Sequence, residues 1–154
     1  MNIKRRHSIK AGGSLALVAA AISAGVLPAS AFANWNKAAF DAKNMADVLK
    51  AMGGASAEKS ADIIITAPDI AENGAVVPVA VTSKIAGTQS ISILVEKNPS
   101  SLAAEFEILA GTEANVGTRV KMGQSSNIHA VVKAGGKYYV ATKEVKVTLG
   151  GCGG

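Results

Sequence analysis

Cysteine, histidine and aromatic residues are scarce in this sequence of 154 residues. Cys152 is the single cysteine, so no disulfide can form within the chain. Aromatic residues make up 4% of the chain and hydrophobic residues 49%, so a core must be built mainly from aliphatic side chains. This hydrophobic content is too high for a disordered protein, and the length suits one domain.

Positive charge is concentrated at the N-terminus. Of the 16 lysines and arginines, four (Lys4, Arg5, Arg6 and Lys10) lie in the first ten residues, where there is no acidic residue. The other 12 basic residues are balanced by 11 acidic ones, so the rest of the chain is nearly neutral. This distribution argues against the basic face that a nucleic-acid-binding protein needs.

Residues 1–33 have the three parts of an export signal. After the charged start, residues 15–27 form an uncharged run of 13 residues, too short for a membrane-spanning helix. Pro28 ends this run, and residues 31–33 (AFA) provide the small-x-small pattern that a signal peptidase needs; residues 29–31 (ASA) are the alternative. We expect cleavage after Ala33 and no membrane anchor.

The start of this signal resembles the twin-arginine type. Arg5 and Arg6 are followed by Ile9 and Lys10, although Ser8 stands where phenylalanine is usual. The modest hydrophobicity of the segment also favours this route, which exports folded proteins. Paired arginines also occur in ordinary secretory signals. Both routes predict a periplasmic protein.

Residues 34–52 are predicted to form one helix. Apolar residues recur at steps of three and four, namely Ala38, Ala42, Met45, Leu49 and Met52. Asn34 or Asn36 can cap its start, and Gly53 with Gly54 can end it. We expect this stripe to pack on the core.

After Ser60 the hydrophobic period changes to two. Eight β-rich segments are separated by turn signals such as Gly135-Gly136, and they cover residues 62–66, 76–82, 90–96, 104–108, 118–122, 127–133, 137–142 and 144–149. The pattern predicts a mainly β domain over residues 34–149: an immunoglobulin-like antiparallel β-sandwich preceded by one N-terminal helix. Pro78 predicts that its strand is an edge or bulged strand.

The predicted domain contains no catalytic constellation. His129 is the one histidine after the signal, and without a second histidine or a matching cysteine a metal site is not expected. Glu105 and Glu107 point to the same side of a strand, which indicates a solvated face rather than an acid–base pair. No glycine-rich phosphate loop is present, so we expect no cofactor.

The chain ends in residues 150–154, in which Gly150, Gly151, Gly153 and Gly154 surround Cys152. Glycine has no Cβ, so this segment is thin and predicted to be a flexible arm. An odd cysteine in an exported protein often marks a reactive or intermolecular thiol. No neighbouring residue would lower its pKa from about 8.5, so we expect a partner's site to activate it. The protein is therefore predicted to be a carrier and not an enzyme.

Together these features resemble the SoxY family, the sulfur-carrier subunits of the bacterial thiosulfate-oxidising (Sox) system. The resemblance rests on the export signal, the helix before an all-β body, the stretch at residues 69–81 (DIAENGAVVPVAV) and the terminal GGCGG. It implies that Cys152 is the site of covalent sulfur attachment and that its four glycines form a swinging arm. It also implies a heterodimer with a SoxZ-like subunit.

The resemblance implies further partners. A haem-containing enzyme would couple thiosulfate to the Cys152 thiol, a sulfate thiohydrolase would release sulfate and leave a persulfide, and a molybdenum sulfane dehydrogenase would oxidise the remaining sulfur. The cofactors belong to these partners.

Two alternatives of other classes remain open at this point. A structural exported immunoglobulin-like domain would have a dispensable tail. A ubiquitin-like sulfur carrier also ends in Gly-Gly but loads sulfur on its terminal carboxylate. The export signal, the position of Cys152 and the number of strands oppose the latter.

Overall fold

The computed structural model describes residues 36–148, which form two short helices followed by nine strands. The elements are α1 (Lys37–Asp41), α2 (Met45–Ala51), β1 (Glu58–Lys59), β2 (Ile63–Thr66), β3 (Ile70–Ala71), β4 (Val77–Ser83), β5 (Thr88–Val95), β6 (Leu102–Glu107), β7 (Asn115–Val120), β8 (Ser126–Ala134) and β9 (Lys137–Val147). The mainly β architecture is as predicted. None of the helices in this range is long and apolar enough to cross a membrane.

The prediction of a single N-terminal helix is wrong, because the chain forms two helices with separate caps. The Asn36 side chain accepts a hydrogen bond from the backbone of Ala39 and caps α1, and the Asn44 side chain caps α2 in the same way. Between them Ala42 is extended (φ −68°, ψ 140°), and its carbonyl accepts a hydrogen bond from the Ser101 backbone at 3.0 Å. This partner is distant in sequence, so helical periodicity could not reveal the break.

Because the two helices are separate, the residues that they bury differ in part from those predicted for one helix. Leu49 of α2 is buried as predicted, but in α1 Ala39 is buried and Ala38 is exposed. The end of α2 matches the prediction: Gly53 has a positive φ of 85°, and the Gly54 backbone donates to the Leu49 carbonyl at 2.8 Å.

The strands form two open sheets that pack as a sandwich. The larger sheet has the order β1-β9-β8-β5-β6, with β3 also paired to β9, and the smaller sheet has the order β2-β4-β7. All pairs are antiparallel except the short pairs that β1 and β3 make with the outer edge of β9. These two parallel strands were not predicted, since segments of two residues carry no periodic signal.

Two hydrophobic clusters stabilise the domain. The larger lies between the sheets and includes Val77, Val79, Val81, Ile91, Ile93, Ile128, Val132 and Val145. The smaller lies between the helices and the outer face of the larger sheet and includes Ala39, Val48, Leu49, Leu94, Leu102, Val131, Tyr138 and Val140. The helices therefore cover part of one sheet face, as the apolar stripe implied.

The C-terminal part of the sequence forms one hairpin of long strands. Gly135 and Gly136 connect β8 to β9 with φ values of 57° and 77°, so this two-residue turn requires glycine-like conformations, as the sequence indicated. Residues 137–142 and 144–149 were predicted as two strands, but β9 runs without interruption through Lys143. The Lys143 amine is held by the Ala67 carbonyl at 2.6 Å and by Asp69 at 3.0 Å, so its charge does not break the strand.

The prediction for Pro78 is wrong in one respect. Its strand, β4, is the central strand of the smaller sheet and has no bulge. However, β2 pairs with β4 only as far as Ala80, so Pro78 has a partner on β7 alone. Because this end of β4 has a free side, a residue without an N–H is tolerated there.

Candidate functional site

The predicted site residues lie outside the described residues, which end at Thr148. Cys152, Gly150, Gly151, Gly153 and Gly154 therefore stay predictions. The structure does describe the strand that leads to them. We call residues 146–148 the arm root, and residues 69–76, which pack beside it, the anchor loop.

On its inner side the arm root is bonded to Ser125, the residue that precedes β8. The Val147 backbone N–H donates to the Ser125 hydroxyl at 2.9 Å, and this hydroxyl lies 3.4 Å from the Val147 carbonyl, to which it donates. The last residue pair of the β8–β9 ladder is Ser126 and Val145. Beyond this pair, the Ser125 side chain takes the place of a backbone partner for Val147. Val147 is held at the point where the regular pairing with β8 ends.

On its outer side the arm root is bonded to the anchor loop. The Lys146 backbone donates to the Asp69 carbonyl at 2.9 Å, and the Thr148 backbone donates to the Ala71 carbonyl at 3.1 Å. These bonds belong to the parallel pairing of β3 with β9. Hydrogen bonds on both sides therefore fix the last described residues of the chain to the domain.

In the anchor loop, Gly74 lies too close to neighbouring residues to carry a side chain. The Gly74 carbonyl accepts a hydrogen bond from the Met122 backbone at 2.6 Å. A Cβ on Gly74 would overlap the Met122 carbonyl oxygen and would lie 2.8 Å from Cγ1 of Val147. From the sequence, the stretch at residues 69–81 was associated with a family, but no structural role was derived for it. Its location beside the last strand is a finding of the structure.

His129 belongs to a hydrogen-bonded network on the outer face of the larger sheet. Its Nδ1 lies 2.9 Å from the Thr142 hydroxyl, and its Nε2 lies 3.5 Å from a carboxylate oxygen of Glu96. The Asn127 amide donates to the same carboxylate at 2.8 Å, and this bond is the main reason why the pKa of Glu96 is lowered; proximity to His129 contributes further. Across residues 36–148, no group of three His, Cys, Asp or Glu side chains is placed to hold a metal ion.

Glu105 and Glu107 lie on the outer face of β6, as predicted, but they are not equally solvated. Glu107 is exposed, whereas Glu105 is partly buried. Burial raises the pKa of Glu105, the negative charge of Glu107 raises it further, and Lys133 opposes both effects. Neither carboxylate contacts a nucleophile or a histidine in the hydrogen bonds and ion pairs of this part of the chain.

The smaller sheet carries an open groove of about 580 Å³ on its outer face. It is lined by Thr66, Ala67, Pro68, Pro78, Ala80, Gly117 and Arg119, among others, and no cysteine, histidine or carboxylate contributes to it. The lining includes threonine hydroxyls but no residue that could act as a general base to activate them.

Comparison with known proteins identifies the family. The sequence model of a family described as "Sulfur oxidation protein SoxY" matches residues 48–152, about two thirds of the chain, and the matched region ends at Cys152. The chain belongs to the SoxY family. The structure of the sulfur carrier protein SoxY from Chlorobium limicola f thiosulfatophilum agrees: it is 42% identical, with a TM-score of 0.64, and the match covers 74% of this chain and 100% of that one.

A second solved structure shows only a shared fold. A superoxide reductase (neelaredoxin) from Ignicoccus hospitalis is 19% identical, with a TM-score of 0.50, and the match covers 56% of this chain and 80% of that protein. No curated protein matches the sequence significantly.

Membership of the SoxY family makes the chain a sulfur carrier and not a catalyst. It also makes the chain a component of the Sox system that works with other Sox proteins.

Proposed function

We propose that this SoxY-family chain is a periplasmic carrier that holds sulfur-oxidation intermediates on Cys152 and presents them to partner enzymes. The observation that supports this most directly is that the family match ends at Cys152, which is the one thiol in the whole sequence. The proposed periplasmic location rests on the features of residues 1–33, and the proposed arm on the four glycines around the cysteine.

The proposed coupling of thiosulfate to the Cys152 thiol is an oxidation, so a partner enzyme must accept the electrons. The Cys152 thiol and thiosulfate give Cys–S–S–SO3⁻ with the release of one proton and two electrons, which a haem-containing enzyme accepts. Water then attacks the terminal sulfonate sulfur, giving sulfate, one proton and a persulfide, Cys–S–SH, in a reaction of the sulfate thiohydrolase. In the last proposed steps the persulfide and three waters give Cys–S–SO3⁻, seven protons and six electrons, and a molybdenum sulfane dehydrogenase is the proposed acceptor of these electrons. A second hydrolysis then releases sulfate and one proton and restores the Cys152 thiol.

The anchored arm root supports this function. Cys152 is four residues beyond Thr148, so at about 3.4 Å per residue its backbone reaches at most roughly 14 Å from the domain. Because the root is bonded to Ser125 on one side and to the anchor loop on the other, this reach starts from a fixed point. Because the arm root is fixed and the arm is short and thin, the Cys152 thiol can enter the channels of several enzymes in turn. A SoxZ-like subunit is the proposed heterodimer partner.

The test is the Cys152→Ser variant in a reconstituted thiosulfate-oxidising system. We expect sulfate release to fall to background, with the melting temperature changed little, because a residue at a chain end makes few packing contacts. Intact mass of the wild-type protein purified from the periplasm, with and without reductant, should show adducts on Cys152 that reductant removes. Continued turnover by the variant would contradict the carrier role and favour a structural domain with a dispensable tail.

A further inference from the structure

The anchor loop contains the one Asn-Gly pair in the whole sequence, Asn73-Gly74. Asn73 is exposed to solvent. The side-chain amide of an asparagine can react with the backbone nitrogen of the next residue, and glycine at that position leaves the nitrogen unobstructed because it has no Cβ. Whether this reaction takes place in a folded chain depends on the geometry of the turn.

The side-chain carbonyl of Asn73 is polarised by the backbone of the turn. The Ala75 N–H donates a hydrogen bond to Oδ1 of Asn73 at 2.9 Å. This bond draws the side chain back over residue 74, whose nitrogen is the nucleophile. The same donor also stabilises the negative charge that develops on Oδ1 when the nitrogen attacks Cγ, as the donors of an oxyanion hole do. The folded loop therefore favours the reaction by proximity and by electrostatic stabilisation.

The backbone nitrogen of Gly74 is free to react. In the part of the chain that the structure describes, the Gly74 N–H donates to no acceptor, so no hydrogen bond has to break before it loses its proton. The bonds that hold the turn use carbonyl groups instead. The Asn73 carbonyl accepts a hydrogen bond from the Val76 backbone at 3.3 Å, and the Gly74 carbonyl accepts one from the Met122 backbone at 2.6 Å.

The other asparagines between residues 36 and 148 lack this combination. They are Asn36, Asn44, Asn98, Asn115 and Asn127. The first two cap helices, and their side chains accept hydrogen bonds from the third residue after them, not from the second. The next precedes proline, whose nitrogen has no hydrogen to lose, and the last two precede β-branched residues, whose side chains obstruct the nitrogen. These five asparagines are internal controls within the same chain.

We propose that Asn73 is a site of spontaneous deamidation in the folded protein, through a cyclic imide formed with Gly74. The Gly74 nitrogen forms a bond to Cγ of Asn73, the bond from Cγ to the amide nitrogen breaks, and the proton of Gly74 leaves with this nitrogen as ammonia. Water then opens the ring, and the new carboxyl group loses a proton to solvent. Addition of water at Cγ gives aspartate. Addition at the backbone carbonyl carbon gives isoaspartate, whose main chain is one carbon longer.

The isoaspartate product disturbs the anchor loop because residue 74 has no room to move. Even an added Cβ on Gly74 would overlap the Met122 carbonyl oxygen and lie 2.8 Å from Cγ1 of Val147. One extra main-chain atom before Gly74 therefore displaces this residue and breaks its hydrogen bond with the Met122 backbone. Aspartate keeps the length of the main chain and an oxygen acceptor for Ala75, so it leaves this contact intact. The proposal is independent of the function proposed for Cys152.

The first test is incubation of the purified mature chain at neutral and at mildly alkaline pH, followed by peptide mass spectrometry. We expect the mass gain that replacement of NH2 by OH produces, at residue 73 and not at the five control asparagines. It should be faster at the higher pH, because the Gly74 nitrogen must lose its proton. The rate should be within about ten-fold of the rate in the urea-unfolded chain, since the folded loop retains the reactive geometry. Modification of the unfolded chain alone would overturn the proposal, as would equal modification of the control asparagines.

The second test is hydrogen exchange of the Met122 amide, which donates to the Gly74 carbonyl. In the isoaspartate fraction, identified with an isoaspartyl methyltransferase, this amide should exchange at least about ten-fold faster than in fresh protein, as for the loss of a local contact. Asn73→Asp, which has the charge without the longer main chain, should exchange as fresh wild type does.

Asn73→Gln is the control for incubation itself, because its longer side chain cannot form the five-membered ring. It should keep both its mass and the protection of the Met122 amide throughout. Unchanged protection of this amide in the isoaspartate fraction of wild type would overturn the proposed effect on the anchor loop. Loss of protection in incubated Asn73→Gln would show that incubation acts elsewhere in the chain, which would also overturn it.

Discussion

Gly74 lies so close to Val147 that a Cβ at Gly74 would be 2.8 Å from Cγ1 of Val147, the last residue of β9. The same Cβ would overlap the Met122 carbonyl oxygen, and this overlap involves rigid backbone. The anchor loop and the arm root therefore pack together only because residue 74 has no side chain.

Gly74→Ala should destabilise the mature protein by about 1–3 kcal/mol, because the loop or the strand end must move to relieve the overlap. The measurement is urea-induced unfolding. Gly123→Ala is the matched control: nothing lies within 4 Å of its added Cβ and its φ is not positive, so a change within about 0.5 kcal/mol is expected. Equal stability of the two variants would show that the close approach is relieved without cost.

Glu105→Gln should stabilise the protein at neutral pH and have no effect in acid. Burial raises the folded-state pKa of Glu105 above its ordinary value of 4.5, so the carboxylate costs stability that increases as the pH rises from the ordinary pKa through the raised one. Glutamine removes this cost, and below the ordinary pKa the group is protonated in both states. Melting temperatures between pH 3 and 8 measure the effect. The exposed Glu113, replaced by glutamine, is the control; a gain that persists at pH 3 would contradict the assignment to ionisation.

Valine at Gly151 and Gly153 should obstruct the arm in a narrow channel, because branched side chains add bulk and stiffen the backbone. We expect normal alkylation of Cys152 by a small reagent but slow release of sulfate by the thiohydrolase from preloaded protein. Serine at both positions should give an intermediate rate, since it adds less bulk. Equal rates for glycine, serine and valine would mean that the glycines only keep the segment loose.

Replacing both Arg5 and Arg6 with lysine should stop export by the twin-arginine route, which requires the arginine pair and not merely positive charge. Lys4→Arg, outside the pair, keeps the charge and should export normally. The mature protein should begin at Asn34, as N-terminal sequencing of the periplasmic fraction would show. Periplasmic protein that retains residues 1–33 would contradict this processing.

Much of the architecture followed from local patterns. Glu105 and Glu107 were predicted to share one side of a strand, and the residues that alternate with them, Phe106 and Ile108, pack against the larger cluster. Gly135 and Gly136 predicted the β8–β9 turn because both positions need positive φ, and Asn36 was one of two predicted helix caps. The terminal GGCGG and residues 69–81 indicated the SoxY family, which the comparisons confirm. Cys152 is still the predicted attachment site, outside the described residues.

Other features depended on contacts between distant residues. The Ser101 backbone binds the Ala42 carbonyl and helps to divide the predicted helix, and Ala67 with Asp69 holds the Lys143 amine so that β9 continues. The anchor loop meets the arm root only because β3 pairs with β9 across more than 70 residues of chain. Local periodicity indicates which face of a helix or strand a residue lies on. It contains no information on which distant backbone groups form hydrogen bonds with that helix or strand. The chemistry proposed for the arm therefore rests on the residues around Cys152 in the sequence, whereas the contacts that hold residues 146–148 arose from the packing of the folded chain.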